Sequence, residues 1–174
     1  MRKQLFLTAL CLGLAPFSFC ATPTLLEGFE DTVIPYTTVA SGSDVLTTSV
    51  VSDHSQGAGS MLLSLAYQPE AAWYKNSYVR KTFASPMDMR TVEYMALDLK
   101  VPVADPNFMM VIMLTDELGY QMRVVDYAAF TTVASDWATH TWKVSDLQKS
   151  RWANLGRPVN LAKIVAISFH IQNG

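Results

Sequence analysis

Tyr78 and Arg80 stand two residues apart, as do Gln121 and Arg123, and as do Ser168, His170 and Gln172. A spacing of two puts side chains on one side of an extended chain. Asp98 and Lys100 repeat it, and Tyr120 with Met122 forms the opposite register to Gln121 with Arg123. Trp73 and Tyr74 lie in a loop running from Pro69 to Lys75. Flat aromatic faces suit the C–H surface of a saturated ring, and planar polar groups beside them reach its hydroxyls. The chemistry on offer is binding of a hydroxyl-rich ring compound. For each residue the ordinary alternative is a solvated strand face.

A second set is acidic. Glu27, Glu30, Asp31 and Asp53 lie around a first candidate strand and a glycine-bearing turn. Hard oxygen ligands with turn carbonyls suit Ca²⁺, and surface charge accounts for the same residues equally well. Trp137 and Trp142 fall in registers rich in apolar residues and are assigned to packing. His140 shares the register of Trp142 and reads as a core or edge histidine, and His54 as a hydrogen-bonding loop residue.

The elements that must position these groups are strands. Ser52 to Ser60 is a polar turn with Gly57 and Gly59, feeding an alternating strand from Ser60 to Tyr67. Before it lie candidate strands Leu25–Phe29 and Val45–Val51, and after it Tyr78–Phe83, closed by a turn at Ser85-Pro86-Met87-Asp88. Tyr94–Val101 alternates with Met95, Leu97, Leu99 and Val101 inward, and the prolines at 102 and 106 end it. Phe108–Thr115 is apolar on both faces, as a central strand should be. Asp116-Glu117-Leu118-Gly119 turns the chain into Tyr120–Tyr127. Trp137–Leu147 and Ile164–Gln172 follow, separated by an irregular stretch, with one helical turn at most near Leu147–Trp152. Short strands at this spacing predict an all-β fold, a two-sheet antiparallel β-sandwich.

Met1-Arg2-Lys3 followed by an uncharged apolar run from Leu5 to Phe19 has the form of a secretory signal peptide. The run is short for a membrane span. Cleavage after Cys20 or Ala21 leaves residues 22–174 as one β-sandwich domain without a transmembrane segment, exported to the periplasm, the cell surface or the medium. A lipid anchor on Cys20 is the competing reading, opposed by the bulky Phe19. Both cysteines lie in the leader, so the mature domain has no disulfide and no thiolate site. Without Arg2 and Lys3, 11 of the 13 basic residues remain against 15 acidic ones. They are scattered, which argues against nucleic acid as a partner.

The order of landmarks resembles the jelly-roll carbohydrate-binding modules of the galactose-binding-like superfamily, including family 11. The resemblance is carried by Glu27-Gly28-Phe29-Glu30, His54-Ser55-x-Gly57-x-Gly59-Ser60-Met61-Leu62 and Tyr94-Met95-Ala96-Leu97-Asp98-Leu99-Lys100-Val101-Pro102. Asp136-Trp137 through Asp146-Leu147 and Val159-Asn160 through His170-Ile171 continue it. Such modules usually end in a further strand, so a chain stopping at Asn173-Gly174 is expected to be either a fragment lacking its last strand, the favoured reading, or a sandwich with one sheet left incomplete.

The resemblance implies a groove for a poly- or oligosaccharide. Alternation fills it with Tyr78, Arg80, Asp98, Tyr120 or Arg123, His170 and Gln172, with Trp73 closing one end. It also implies a structural calcium near Glu27, Glu30 and Asp53. The expected role is non-catalytic binding, with a covalently attached glycan-degrading domain elsewhere in a longer protein.

A catalytic polysaccharide lyase or glycoside hydrolase, and a purely structural or adhesive sandwich, stay open. Against catalysis, the chain has no Gly-x-Ser-x-Gly, no His-Glu-x-x-His, no phosphate-binding glycine loop and no zinc spacing. Asp98, Asp116, Glu117, Asp126 and Asp146 show no pairing signal for glycoside cleavage, and Gln172, His170, Tyr120 and Arg123 only imitate a lyase constellation.

Overall fold

Where a strand is covered on one side only, its apolar residues come at every second position. Where it is covered on both, the run is unbroken. Both patterns are realised in the computed structural model, which describes residues 2–6, 36–42, 44–53, 60–66, 75–149 and 157–173. The strands are β1 (Arg2–Phe6), β2 (Thr37–Val39), β3 (Val45–Val51), β4 (Ser60–Ala66), β5 (Lys75–Met87) and β6 (Tyr94–Val101). They continue as β7 (Phe108–Asp116), β8 (Gln121–Asp126), β9 (Ala134–Lys143), β10 (Gln148–Lys149) and β11 (Ile164–Asn173). A five-stranded sheet has the order β3-β4-β1-β6-β9, and a six-stranded sheet the order β10-β8-β7-β11-β5-β2. The pairings are antiparallel in both, as the all-β sandwich reading expects.

Between the layers Met61, Leu63, Met95, Leu97, Leu99 and Val101 of the first sheet join the core formed with Val79, Met110, Ile112, Leu114, Ile167, Phe169 and Ile171 of the second. Burial of each large side chain contributes about 1.5–3 kcal/mol. The inward register read for β6 is the observed one. β7 is buried continuously from Met110 to Asp116, as befits a strand flanked by β8 and β11. Phe130 plugs one end of the core, in a loop held by the Asp105 amide donating to the Phe130 carbonyl at 2.9 Å.

The β7–β8 hairpin shows how local chemistry fixes a turn. Gly119 has φ +81°, a left-handed angle that costs glycine little. The Asp116 carboxylate accepts from the Leu118 amide at 3.0 Å and the Tyr120 amide at 2.9 Å. It closes the turn from inside, the Asx arrangement that favours aspartate there.

Two expectations are corrected. β5 does not stop before Ser85 but runs through Met87. The register slips between Ile164 and Ala166 of β11, so that Met87 and Thr82 are the successive partners. Pro86, which has no N–H to donate, lies in the slack segment of that irregularity. In the stretch Leu147–Trp152, where one helical turn is expected, Gln148–Lys149 form β10 and residues 150–152 lie outside the described residues. The 3-10 turns occur at Val144–Asp146, where β9 ends, and at Leu161–Lys163. The short β1 falls in the stretch assigned to the leader and lies between β4 and β6, with Lys3 in register with Met61 and Leu99. The expected strand Leu25–Phe29 lies outside the described residues.

Candidate functional site

Register places the predicted groove residues in rows across the outer face of the six-stranded sheet. Tyr78 of β5 is opposite His170 of β11, which is opposite Val111 of β7, which is opposite Val125 of β8. The next row runs Arg80, Ser168, Met113, Arg123. Gln172 lies between Asn76 and Met109 in the row beyond. Tyr78, Arg80, Arg123, His170 and Gln172 are therefore brought onto one face. In the β8 stretch the register with Gln121 and Arg123 faces outward, while Met122 packs on the core.

The middle of this face is more closed than alternation suggests. Ser168, His170 and Gln172 are buried, at 5%, 4% and 3% exposure, and Val111 is at 0%. Tyr78 covers His170 directly, with ring centroids 4.5 Å apart and planes 25° from parallel. A neutral, fixed imidazole results. Asn76 Oδ1 can only accept, so the 2.7 Å contact makes His170 Nδ1 the donor, and Nε2 accepts from the Ser168 hydroxyl at 2.8 Å. Burial, with Arg123 and Arg80 near, pushes the His170 pKa down to about 4. His170 thus shapes the floor of the face, and the groups at its surface are Tyr78, Arg80 and Arg123, all half-buried.

Two residues escaped sequence reasoning. Asn76 fixes the His170 tautomer. Tyr127, 70% exposed just beyond β8, lines a shallow cavity of about 190 Å³ with Arg123, Val125 and Asp146. Continuing the two-residue step from Arg123 through Val125 reaches Tyr127, so the signal was present.

Other predicted residues lie elsewhere. Asp98 belongs to β6 in the opposite sheet, is buried, and accepts from the Thr139 hydroxyl at 2.6 Å. Tyr120 lies at the β7–β8 turn beneath Arg157, whose guanidinium carbon is 4.2 Å from the ring centre. Arg157 also donates to Asp116 at 2.7 Å, and the Asn160 amide donates to the same oxygen at 3.0 Å. Burial alone would raise the Asp116 carboxyl. The amides of Asn160, Tyr120 and Leu118 and the Arg157 charge outweigh it and hold the pKa below the usual carboxylate range. Asp116 is a structural knot. Trp73 and His54 lie outside the described residues.

His140 and Trp142 face the interlayer space as expected, with Trp142 against the core and the two rings stacked at 6.0 Å. His140 Nδ1 meets Asp126 Oδ2 at 2.9 Å, tying β9 of one sheet to β8 of the other. That bond is the main reason the Asp126 carboxyl lies below its ordinary pKa, with the Ala128 amide assisting. Trp137 is half-buried and donates its indole N–H to Asp53 Oδ1 at 3.1 Å.

Of the calcium candidates, Glu27 and Glu30 lie outside the described residues. Asp53 gives its other oxygen to Lys100 Nζ at 3.0 Å, so a cation there would displace an ammonium. Among the described residues no group of three or more His, Cys, Asp or Glu side chains is arranged to hold a metal.

No protein-family model and no curated protein matches the chain. Among solved structures it is similar to the family 11 carbohydrate-binding module from Clostridium thermocellum in complex with a β-1,3-1,4-mixed-linked tetrasaccharide. The identity is 14%, the TM-score 0.60, and the match covers 86% of this chain and 91% of that one. It is likewise similar to the family 11 module of the cellulosomal cellulase Lic26A-Cel5E of Clostridium thermocellum, at 12% identity and TM-score 0.60, over 86% of this chain and 90% of that one. At this identity the likeness is one of fold: the chain has the antiparallel sandwich of the family 11 carbohydrate-binding modules.

Proposed function

We propose that the protein is an exported, non-catalytic module that binds a polysaccharide on the outer face of its six-stranded sheet. The observation that carries this is the convergence of Tyr78, Arg80, Arg123 and Tyr127 on that face. A tyrosine and an arginine lie together on β5 at one side of the face, and an arginine and a tyrosine on and just after β8 at the other. Three strand spacings separate Arg80 from Arg123, about 14 Å at about 4.8 Å each. That span suits several linked rings rather than one sugar. Two solved structures that share the fold are carbohydrate-binding modules, one of them holding a tetrasaccharide, which supports the reading.

The test is affinity electrophoresis through gels containing polysaccharides, comparing the parent with Tyr127→Ala and Tyr78→Leu. The leucine keeps apolar cover over His170 while removing the flat ring. Retardation of the parent by at least one glycan, reduced in both variants at unchanged helical and strand signal, is the expected result. Equal retardation of all three proteins would remove the groove assignment.

Export belongs to the same proposal. Cleavage after Cys20 or Ala21 would take β1 out from between β4 and β6, and the intact mass of the exported protein reads it directly. A catalytic domain carried by a longer form is also proposed, and the full reading frame decides it. A structural calcium would need Glu27 and Glu30 besides Asp53. A melting temperature raised by Ca²⁺ and lowered by chelator is its signature, and an unmoved one removes it. Among the described residues no helix is long and apolar enough to cross a membrane.

A further inference from the structure

Two guanidiniums on a sheet face are ordinary when carboxylates neutralise them. Here none does. Lys100, His140, Arg157 and Lys163 each reach a carboxylate at 2.7–3.0 Å, whereas neither Arg80 nor Arg123 forms an ion pair with any described residue. The one acid sharing a cavity with Arg123 is Asp146, which makes no ion pair with it and contacts the Ser145 hydroxyl at 3.3 Å. Both arginines are half-buried and lie in one row, separated by Ser168 and Met113. Half-buried and about 14 Å apart, the two charges repel each other only weakly through solvent, and both forks are available to a ligand of opposite charge. The arrangement is the more telling in a chain whose formal net charge is already −2. Arginine forks match planar or tetrahedral oxyanions in two-point contacts that hydroxyls do not equal.

We propose that the glycan bound on this face is acidic, carrying carboxylate or sulfate groups spaced so that Arg80 and Arg123 each engage one. The inference rests on the glycan-binding reading above and adds the class of ligand. Neutral glycans meet the same rings but offer both forks only hydroxyls. Acidic glycans offer them charge-assisted bonds, so their binding weakens with salt. Uronate and sulfate ester share this chemistry, and separate arms distinguish them.

The experiment uses the full chain in gels containing polygalacturonate, a sulfated galactan, or neutral mixed-linkage β-glucan, at about 0.05 M and about 0.5 M NaCl. Retardation is expected to be strongest on one acidic gel and largely lost at the higher salt. Arg80→Gln and Arg123→Gln are each expected to weaken it about tenfold. Retardation by the neutral glucan should fall far less in either variant than retardation by the acidic polymer, because a fork donates to a hydroxyl more weakly than to an oxyanion. Retardation by the neutral glucan equal to or above that by both acidic polymers, or insensitivity to salt, overturns the acidic assignment and leaves glycan binding standing. Absence of retardation on every gel overturns both.

Discussion

On the outer face of the five-stranded sheet the buried and half-buried polar groups complete one another. Lys100 meets Asp53, the Trp137 indole meets the same carboxylate, and Thr139 closes on Asp98. On the outer face of the six-stranded sheet Arg80 and Arg123 meet no carboxylate among the described residues, and the titratable group beside them is a histidine kept neutral by burial and the two arginines and oriented by Asn76, Ser168 and Tyr78. The two faces share the alternation of their strands. They differ in whether the protein completes its own hydrogen bonds. A self-satisfied face stabilises the sandwich, and a face with unsatisfied forks around a rigid floor is prepared for a ligand.

The sharpest way to break this contrast lies at Asp116, which is self-satisfied to the limit. Asp116→Asn would set an NH₂ group against the Asn160 amide or the Arg157 guanidinium, donors facing donors. The loss expected is about 2–4 kcal/mol of unfolding free energy in urea, with glycan retardation unchanged in the folded fraction. Loss of retardation at unchanged stability would place Asp116 in the binding machinery.

His170 gives the next effect, and it depends on pH. The folded imidazole titrates near 4, below its ordinary 6.5, so between these values the unfolded chain takes up a proton that the folded one refuses. Stability contributed by the neutral ring is whole above about pH 6.5 and lost as pH falls toward 4. The full swing is on the order of 3 kcal/mol. The lowered carboxyls of Asp116 and Asp126 act further down, keeping their contribution above the ordinary carboxylate value and losing it below. His170→Gln should flatten the upper part of the acid limb and leave the lower part. An unaltered slope between pH 6.5 and 4 would mean that His170 is not held neutral.

How much of this was legible depends on what alternation encodes. It tells which residues share a side of a strand, so the inward sets of β6 and β11 and the two-sided burial of β7 were readable. It does not tell which sheet a strand joins, and Asp98 was grouped with residues of the opposite layer for that reason. Nor does it measure cover. Ser168, His170 and Gln172 read as exposed because they are polar, and Tyr78 and the flanking strands bury them. The irregularity that carries β5 past Pro86 depends on its partner β11, nearly eighty residues away, and no local pattern announces it.

A smaller effect tests the satisfied face. Asp53 and Lys100 are both part-exposed, so solvent screens their pair, and Asp53→Asn is expected to cost only about 0.5–1 kcal/mol. The amide can still accept from Trp137, which limits the damage. Retardation on any glycan gel should be indifferent to it, since the change lies on the other sheet.

The smallest stability effect is expected where the binding effect is greatest. Arg80→Gln and Arg123→Gln remove charges that nothing in the described protein answers, so unfolding free energy should move by no more than about 0.5 kcal/mol. The double variant should move it upward if mutual repulsion and repulsion of a protonating His170 matter, and most visibly near pH 5. A loss of more than about 1 kcal/mol in either single variant would show that the forks do hold the sandwich together. The two faces would then differ only in how many of their bonds are charged, and an unpaired arginine would no longer distinguish a surface made for a ligand from one made for the fold.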